Sequence, residues 1–154
     1  MSLSSFLVKE SKAANDTGLL LLRIVAGLVL LYGHGFEKLG VIFSGQPIQF
    51  MDPIGLGPKT SFFMATFAEG ICSILLVLGL FSRFASLVLS INFVVIFIFH
   101  AFIVGDGFQV LELRFLYLMT FVALTFLGPG RFSLDYLLFG RQSRTMHPAD
   151  LSGH

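Results

Sequence analysis

The sequence is poor in charge, has no tryptophan and holds a single cysteine, and each shortage excludes something. Charged residues make up 12% of the 154, where a soluble domain carries about a quarter. An ordinary water-soluble fold is thereby excluded. Ten Lys and Arg against nine Asp and Glu give a net charge of +1, so no basic surface is offered to nucleic acid. The lone Cys72 excludes an internal disulfide and any cysteine-cluster metal site. It stands in an apolar run and reads as a buried, inert thiol. Without tryptophan, an aromatic belt at a membrane interface must rest on the 19 Phe and on Tyr32, Tyr117 and Tyr136.

What the chain has in abundance is apolar sequence, 55% of its residues. The stretch Leu19–Gly40 is long enough to cross a bilayer, yet it carries Arg23, His34, Glu37 and Lys38. At about 100° per residue, Arg23, Gly27, His34 and Lys38 fall within an arc of roughly 60°, with Glu37 at its edge. A charge at mid-bilayer costs about 2.5–3.5 kcal/mol, so this face is expected to turn towards other helices. The stretch is too long for a signal-peptide core, and no A-x-A-like site follows it.

Four spans are expected, at residues 18–35, 61–81, 84–104 and 110–127, each near the ~20 residues a crossing needs. Residues 1–17 form a cytoplasmic N-terminal segment, either amphipathic on the membrane surface or frayed. Asn15-Asp16-Thr17 offers N-cap chemistry to the first helix. Between Phe36 and Thr60 lie Gly45, Pro47, Pro53, Gly55, Gly57 and Pro58, too dense for a long helix. The apolar Ile48, Phe50, Met51 and Ile54 suggest that this loop folds back on the bundle mouth. Ser82-Arg83 and Gly105-Asp106-Gly107 make short turns. Gly128-Pro129-Gly130 stops the fourth span, and Ser133 is a cap for a last surface helix, 133–139. Residues 140–154 are a polar cytoplasmic tail, whose His147, Asp150 and His154 read as solvated rather than metal-binding.

The fold expected from this pattern is an all-α integral membrane protein, an antiparallel bundle of four transmembrane helices over residues 18–139. Lys9, Lys12, Arg83, Arg131, Arg141 and Arg144 fall on the side of the termini, and Lys38, Lys59 and Arg114 on the other. That bias places both termini in the cytoplasm.

Depth arithmetic puts His34 about 24 Å up the first span, Glu69 about 12 Å down the second and His100 about 24 Å up the third. Glu112 and Arg114 begin the fourth span at the same outer level. Arg23 is deeper, but its long side chain reaches up towards Glu69. Buried charges pair, so Arg23 and Glu69 are expected to form one ionic unit. Ionisable groups inside a membrane mark function by default. The candidate site is therefore Arg23, His34, Lys38, Glu69, His100, Glu112 and Arg114. His34, Lys38, His100 and Arg114 are donors suited to the oxygens of a quinone-like head group. Phe93, Phe97, Phe99 and Phe121 are its expected slot, with Glu69 as a proton relay. His34 and His100 as axial ligands of a haem is the weaker reading, two unrelated histidines the stronger.

These residues carry a resemblance. Arg23, Gly27, His34, Gly35 and Lys38 are followed in order by Ala68-Glu69, Gly79-Leu80 with Arg83, Gly128-Pro129-Gly130 and Ser133-Leu134-Asp135. Over roughly residues 19–139 the chain resembles the DoxX family of small bacterial and archaeal membrane proteins. The resemblance implies a four-helix protein of the bacterial cytoplasmic (inner) membrane, linked to quinone-dependent redox metabolism and oxidative stress. Family members resemble, or serve as, subunits of a thiosulfate:quinone oxidoreductase and of other membrane oxidoreductase assemblies. No flavin, haem-attachment or iron–sulfur motif stands in the sequence, so a reaction needs a partner or a diffusible quinone. Two readings stay open. One is a quinone-linked oxidoreductase subunit. The other is a non-catalytic structural subunit docked on a larger respiratory or photosynthetic membrane complex. The expected partners are membrane lipid, subunits of a larger complex or a second copy, and quinone, with neither nucleic acid nor metal.

Overall fold

Unbroken apolar runs lack the alternation of a half-buried strand, and in lipid only a helix satisfies its own backbone within one segment. The computed structural model describes residues 11–140. They form four helices long and apolar enough to cross a membrane: α1, Lys12–Ser44; α2, Pro58–Leu78; α3, Ser82–Val104; and α4, Phe108–Leu127. A short α5 spans Leu134–Phe139. Among the described residues there is no strand.

The helix ends have chemical causes. Ser11, rather than Asn15–Thr17, caps α1, its hydroxyl accepting the Ala14 amide. Residues 36–44, expected in the loop, continue α1, because left-handed backbone first appears at Gly45, with φ 66°. The connecting loop is therefore 45–57. Pro58 sits in the first turn of α2, where its missing N–H is harmless. The start of α3 is capped from a distance: Asp135 accepts the Phe81 amide at 2.7 Å and the Ser82 amide at 2.8 Å. Ser133 caps α5 as expected, accepting the Tyr136 amide at 3.1 Å. The other three spans begin and end within three residues of their expected bounds. The reading of residues 1–10 and the tail set His147, Asp150 and His154 lie outside the described residues.

Short turns make sequential helices antiparallel neighbours. α1 packs on α2, α2 on α3 and α3 on α4, and α4 closes on α1. Leu30, Leu76, Leu89, Phe121 and Leu124 fill the centre, each at most 1% exposed. Ser82, Ser86 and Ser90 line the buried face of α3 and let its neighbours approach closely. The Ser86 and Ser90 hydroxyls donate to the carbonyls four residues back, at 2.7 and 2.8 Å. Exposed Leu, Val, Ile and Phe cover the outside, as a lipid-facing surface requires.

Three helices contain a widened, π-type turn: Leu31–Gly35 in α1, Phe67–Cys72 in α2 and Phe99–Val104 in α3. Such a turn inserts one residue and rotates everything after it by about 100°. His34, Glu69 and His100 each lie in one of the three.

Candidate functional site

Gly35 is buried where α1 crosses α2, and a Cβ there would lie 2.6 Å from the Glu69 carbonyl oxygen. This close approach brings Lys38, three residues on and on the same helix face, against the Glu69 side chain. Lys38 Nζ donates to Glu69 Oε2 at 2.7 Å, and Asn92 Nδ2 of α3 donates to Oε1 at 3.0 Å. The Glu69 side chain is 5% exposed and that of Lys38 14%. Both carboxylate oxygens are thus engaged, which is the condition for keeping such a charge inside a protein. Among the described residues, the second amide hydrogen of Asn92 and its carbonyl oxygen remain uncommitted.

Glu69 and Asn92 form part of the wall of a cavity of about 170 Å³ between α2, α3 and the 45–57 loop. Its other walls are apolar apart from Ser61 and His100. Phe50, Met51, Pro53 and Ile54 of the loop roof it. Met64 and Ile91 on its rim are 52% and 59% exposed, so it opens sideways between α2 and α3. The roof is tied down by Asp52. Its Oδ1 accepts the Ser61 hydroxyl at 2.8 Å and the Leu56 amide at 3.1 Å, and its Oδ2 accepts the Gly57 amide at 2.9 Å. The Ser61 hydroxyl above all, helped by the backbone amides, holds the Asp52 carboxyl below the usual carboxylate range.

His100 contributes to the same cavity from a separate polar group. Its Nδ1–H donates to Asp106 Oδ2 at 2.6 Å, and Arg114 Nη2 donates to its Nε2 at 3.3 Å. A carboxylate only accepts and a guanidinium only donates, so the two partners fix the tautomer with hydrogen on Nδ1. Arg114 also donates to the Val110 carbonyl at 2.8 Å.

The seven residues expected in one cluster are therefore divided. Glu69 and His100 border one cavity, Lys38 adjoins it through Glu69, and Arg114 acts on His100. His34 and Glu112 are exposed and, among the described residues, make no side-chain hydrogen bond or ion pair. The expected Arg23–Glu69 unit is not formed. Arg23, 1% exposed, donates through Nη1 to the Leu76 carbonyl at 3.2 Å and through Nη2 to the Phe132 carbonyl at 2.6 Å. Leu76 is seven residues past Glu69, about 10 Å along the helix. Lys38 takes Glu69, and backbone carbonyls take the guanidinium. Gly79, at φ 70°, makes room for it, since a Cβ there would strike the guanidinium.

One further expectation is corrected. Of the expected Phe slot only Phe99 lines the cavity. Phe93 and Phe121 pack with Tyr117 in the core, with ring centroids 5.1–6.0 Å apart, and Phe97 packs on Phe115. Sequence reasoning reads Asp106 only as part of a turn and does not place Asn92 in the site. The available signal was Asn92 standing alone in an apolar run, two helical turns before His100 and on the same face. Among the described residues, no three His, Cys, Asp or Glu side chains gather as a metal site requires.

A model of the DoxX family matches residues 18–101, more than half of the chain, from the first span through the His100 turn. The chain belongs to the DoxX family. Neither the curated proteins nor the solved structures give a match to it. With four apolar helices and this membership, the DoxX protein is an integral, multi-pass membrane protein. The family match takes in Lys38, Glu69, Asn92 and His100, whereas Asp106, Arg114 and Asp135 lie beyond it.

Proposed function

We infer that this DoxX protein is a small subunit of quinone-linked redox metabolism in the bacterial cytoplasmic membrane, with both termini inside. Its cavity beside Glu69 takes a single-ring quinone head group. The observation that carries this reading is the Glu69–Asn92 pair on the wall of an otherwise mainly apolar cavity. An apolar cavity of about 150 Å³ holds a benzene ring, so one of about 170 Å³ suits a single ring. Asn92 offers an amide hydrogen to a quinone carbonyl and a carbonyl oxygen to a quinol hydroxyl, so it serves both redox states. The open rim between Met64 and Ile91 lets an apolar tail pass into lipid. In this reading the chain binds and orients the ring, and a partner subunit exchanges the electrons.

Calorimetric titration of the protein in lipid nanodiscs with a decyl-benzoquinone tests the reading. Wild type is expected to bind. Ala65→Leu, which fills the cavity, is expected to abolish binding. Asn92→Leu is expected to weaken it about tenfold, the worth of one good hydrogen bond. A wild type without affinity, or an Ala65→Leu variant with full affinity, overturns the quinone site and leaves the docking-subunit role.

A further inference from the structure

Lys38 stands between two spaces of opposite character. On one side is the apolar cavity bordered by Glu69. On the other is a polar vestibule of about 380 Å³ at the loop end, lined by Lys38, Glu37, Gln46 and Gln49 among others. Phe50 borders both spaces. Its ring meets Phe62 edge-on at 5.4 Å and lies 6.0 Å from Lys38 Nζ. This aromatic partition offers no group that can exchange a proton. The polar link through it is the 2.7 Å contact from Lys38 to Glu69.

We propose that Lys38 and Glu69 form a proton relay joining a head group in the cavity to water in the vestibule. The proposal rests on the reading that the cavity binds an oxygen-bearing ring. A hydroxyl of the bound ring passes its proton to a carboxylate oxygen of Glu69. The Lys38 ammonium releases a proton to vestibule water. The proton on Glu69 then crosses to the Lys38 amine, and the pair is again carboxylate and ammonium. One proton has moved from cavity to vestibule, no electron has moved, and the ring remains as an oxyanion facing the Asn92 amide.

The other polar groups around the pair do not offer this route. Glu37 of α1 lines the vestibule and is exposed. Asn92 of α3 has no ionisable proton. His100 is engaged by Asp106 and Arg114 at the far end of the cavity. Asp52 of the loop is engaged by Ser61 and two backbone amides. A purely structural ion pair needs a cation at position 38, whereas a relay needs a cation that can lose its proton. Arginine separates the two requirements, because it keeps its charge and its donors but stays protonated.

The test mixes nanodisc-held protein at slightly acidic pH with a 2-alkyl-4-nitrophenol in stopped flow, a single-ring probe that enters as the protonated phenol and whose anion is yellow. The coloured anion of the ring reports binding and ionisation, and a pH dye in weak buffer reports protons reaching bulk water. Lys38→Arg is expected to bind within about threefold of wild type and to release protons about a hundredfold more slowly. Val41→Phe, which fills the vestibule and leaves the pair intact, is expected to slow release at unchanged affinity. It carries the same readout if the Arg variant does not fold. Wild-type release rates in either variant, with binding intact, overturn the relay and leave the quinone site standing. A wild type that binds the probe without releasing a proton overturns the relay, and one that binds neither the probe nor the decyl-benzoquinone overturns both.

Discussion

Asp52 gathers the Ser61 hydroxyl and the Leu56 and Gly57 amides onto one carboxylate, tying the loop that roofs the cavity to the first turns of α2. These donors favour the ionised form, so the folded protein holds the carboxyl below the ~3.9 of an exposed aspartate. With its pKa depressed, the folded state binds fewer protons than the unfolded chain. The contribution of Asp52 is therefore complete above about pH 4 and is lost as the pH falls through the lower, folded value. In hydrogen exchange corrected for intrinsic rates, the Leu56 and Gly57 amides are expected to be protected at neutral pH and to lose protection below about pH 4. In Asp52→Ala the same amides are expected to exchange freely at every pH while the four long helices keep their protection. Full protection in that variant would show that other contacts hold the roof. Arg23 is held on the opposite plan, by two carbonyls and, among the described residues, with no carboxylate within hydrogen-bond reach. It joins α1 to the end of α2 and to the segment before α5.

At the level of the helix, the π turns and the crossing glycine set the site. Gly35 lets α1 sit on the Glu69 backbone, while Gly33, two residues earlier, has open space where a Cβ would go. Gly35→Ala is expected to cost about 1–3 kcal/mol through overpacking and to part Lys38 from Glu69. Gly33→Ala should be neutral, or stabilise by up to about 1 kcal/mol through higher helix propensity. Thermal melting of both variants in detergent decides. Equal behaviour would mean that the crossing has slack. The same turn explains what the sequence could and could not reveal. The four spans were legible because apolar runs and their Gly and Pro punctuation are local facts. Rotation about a helix axis is not local, and a single inserted residue in α1 is enough to bury Gly35 and expose His34. Arg23 was matched to Glu69 by charge alone, since a carbonyl such as that of Phe132, 109 residues away, gives no signal in the sequence. The partners of Glu69 and His100 depend on the same rotations. The polar residues of the site were thus nearly all noticed, and their pairing was not.

For the whole molecule, the two ends of the bundle differ. At one end α5 is pinned, with the Asp135 amide donating to the Gly79 carbonyl at 2.8 Å and Asp16 accepting the Arg131 amide at 2.9 Å. Lys12, Arg83 and Arg131 lie at this end. The other end holds the 45–57 loop, the vestibule and the His100 group, with Lys38, Lys59 and Arg114. Counted along the sequence rather than in space, six Lys and Arg flank the spans on the side of the termini and three on the other, with Arg23 within the first span. By the positive-inside rule this bias favours the orientation proposed above, with both termini inside and the vestibule outwards. If so, a proton leaving the cavity through Lys38 is delivered outside, and binding or oxidation of a quinol would be coupled to one side of the membrane. Orientation can be read with an impermeant maleimide on intact cells. Cys72, 0% exposed, is first replaced by Ala. Ser44→Cys, at the loop end of α1, is expected to label from outside. Ala13→Cys, at the start of α1, is expected to label only after the membrane is permeabilised. The reverse pattern would invert the bundle and send the same proton into the cytoplasm, where its release would dissipate a gradient instead of adding to one.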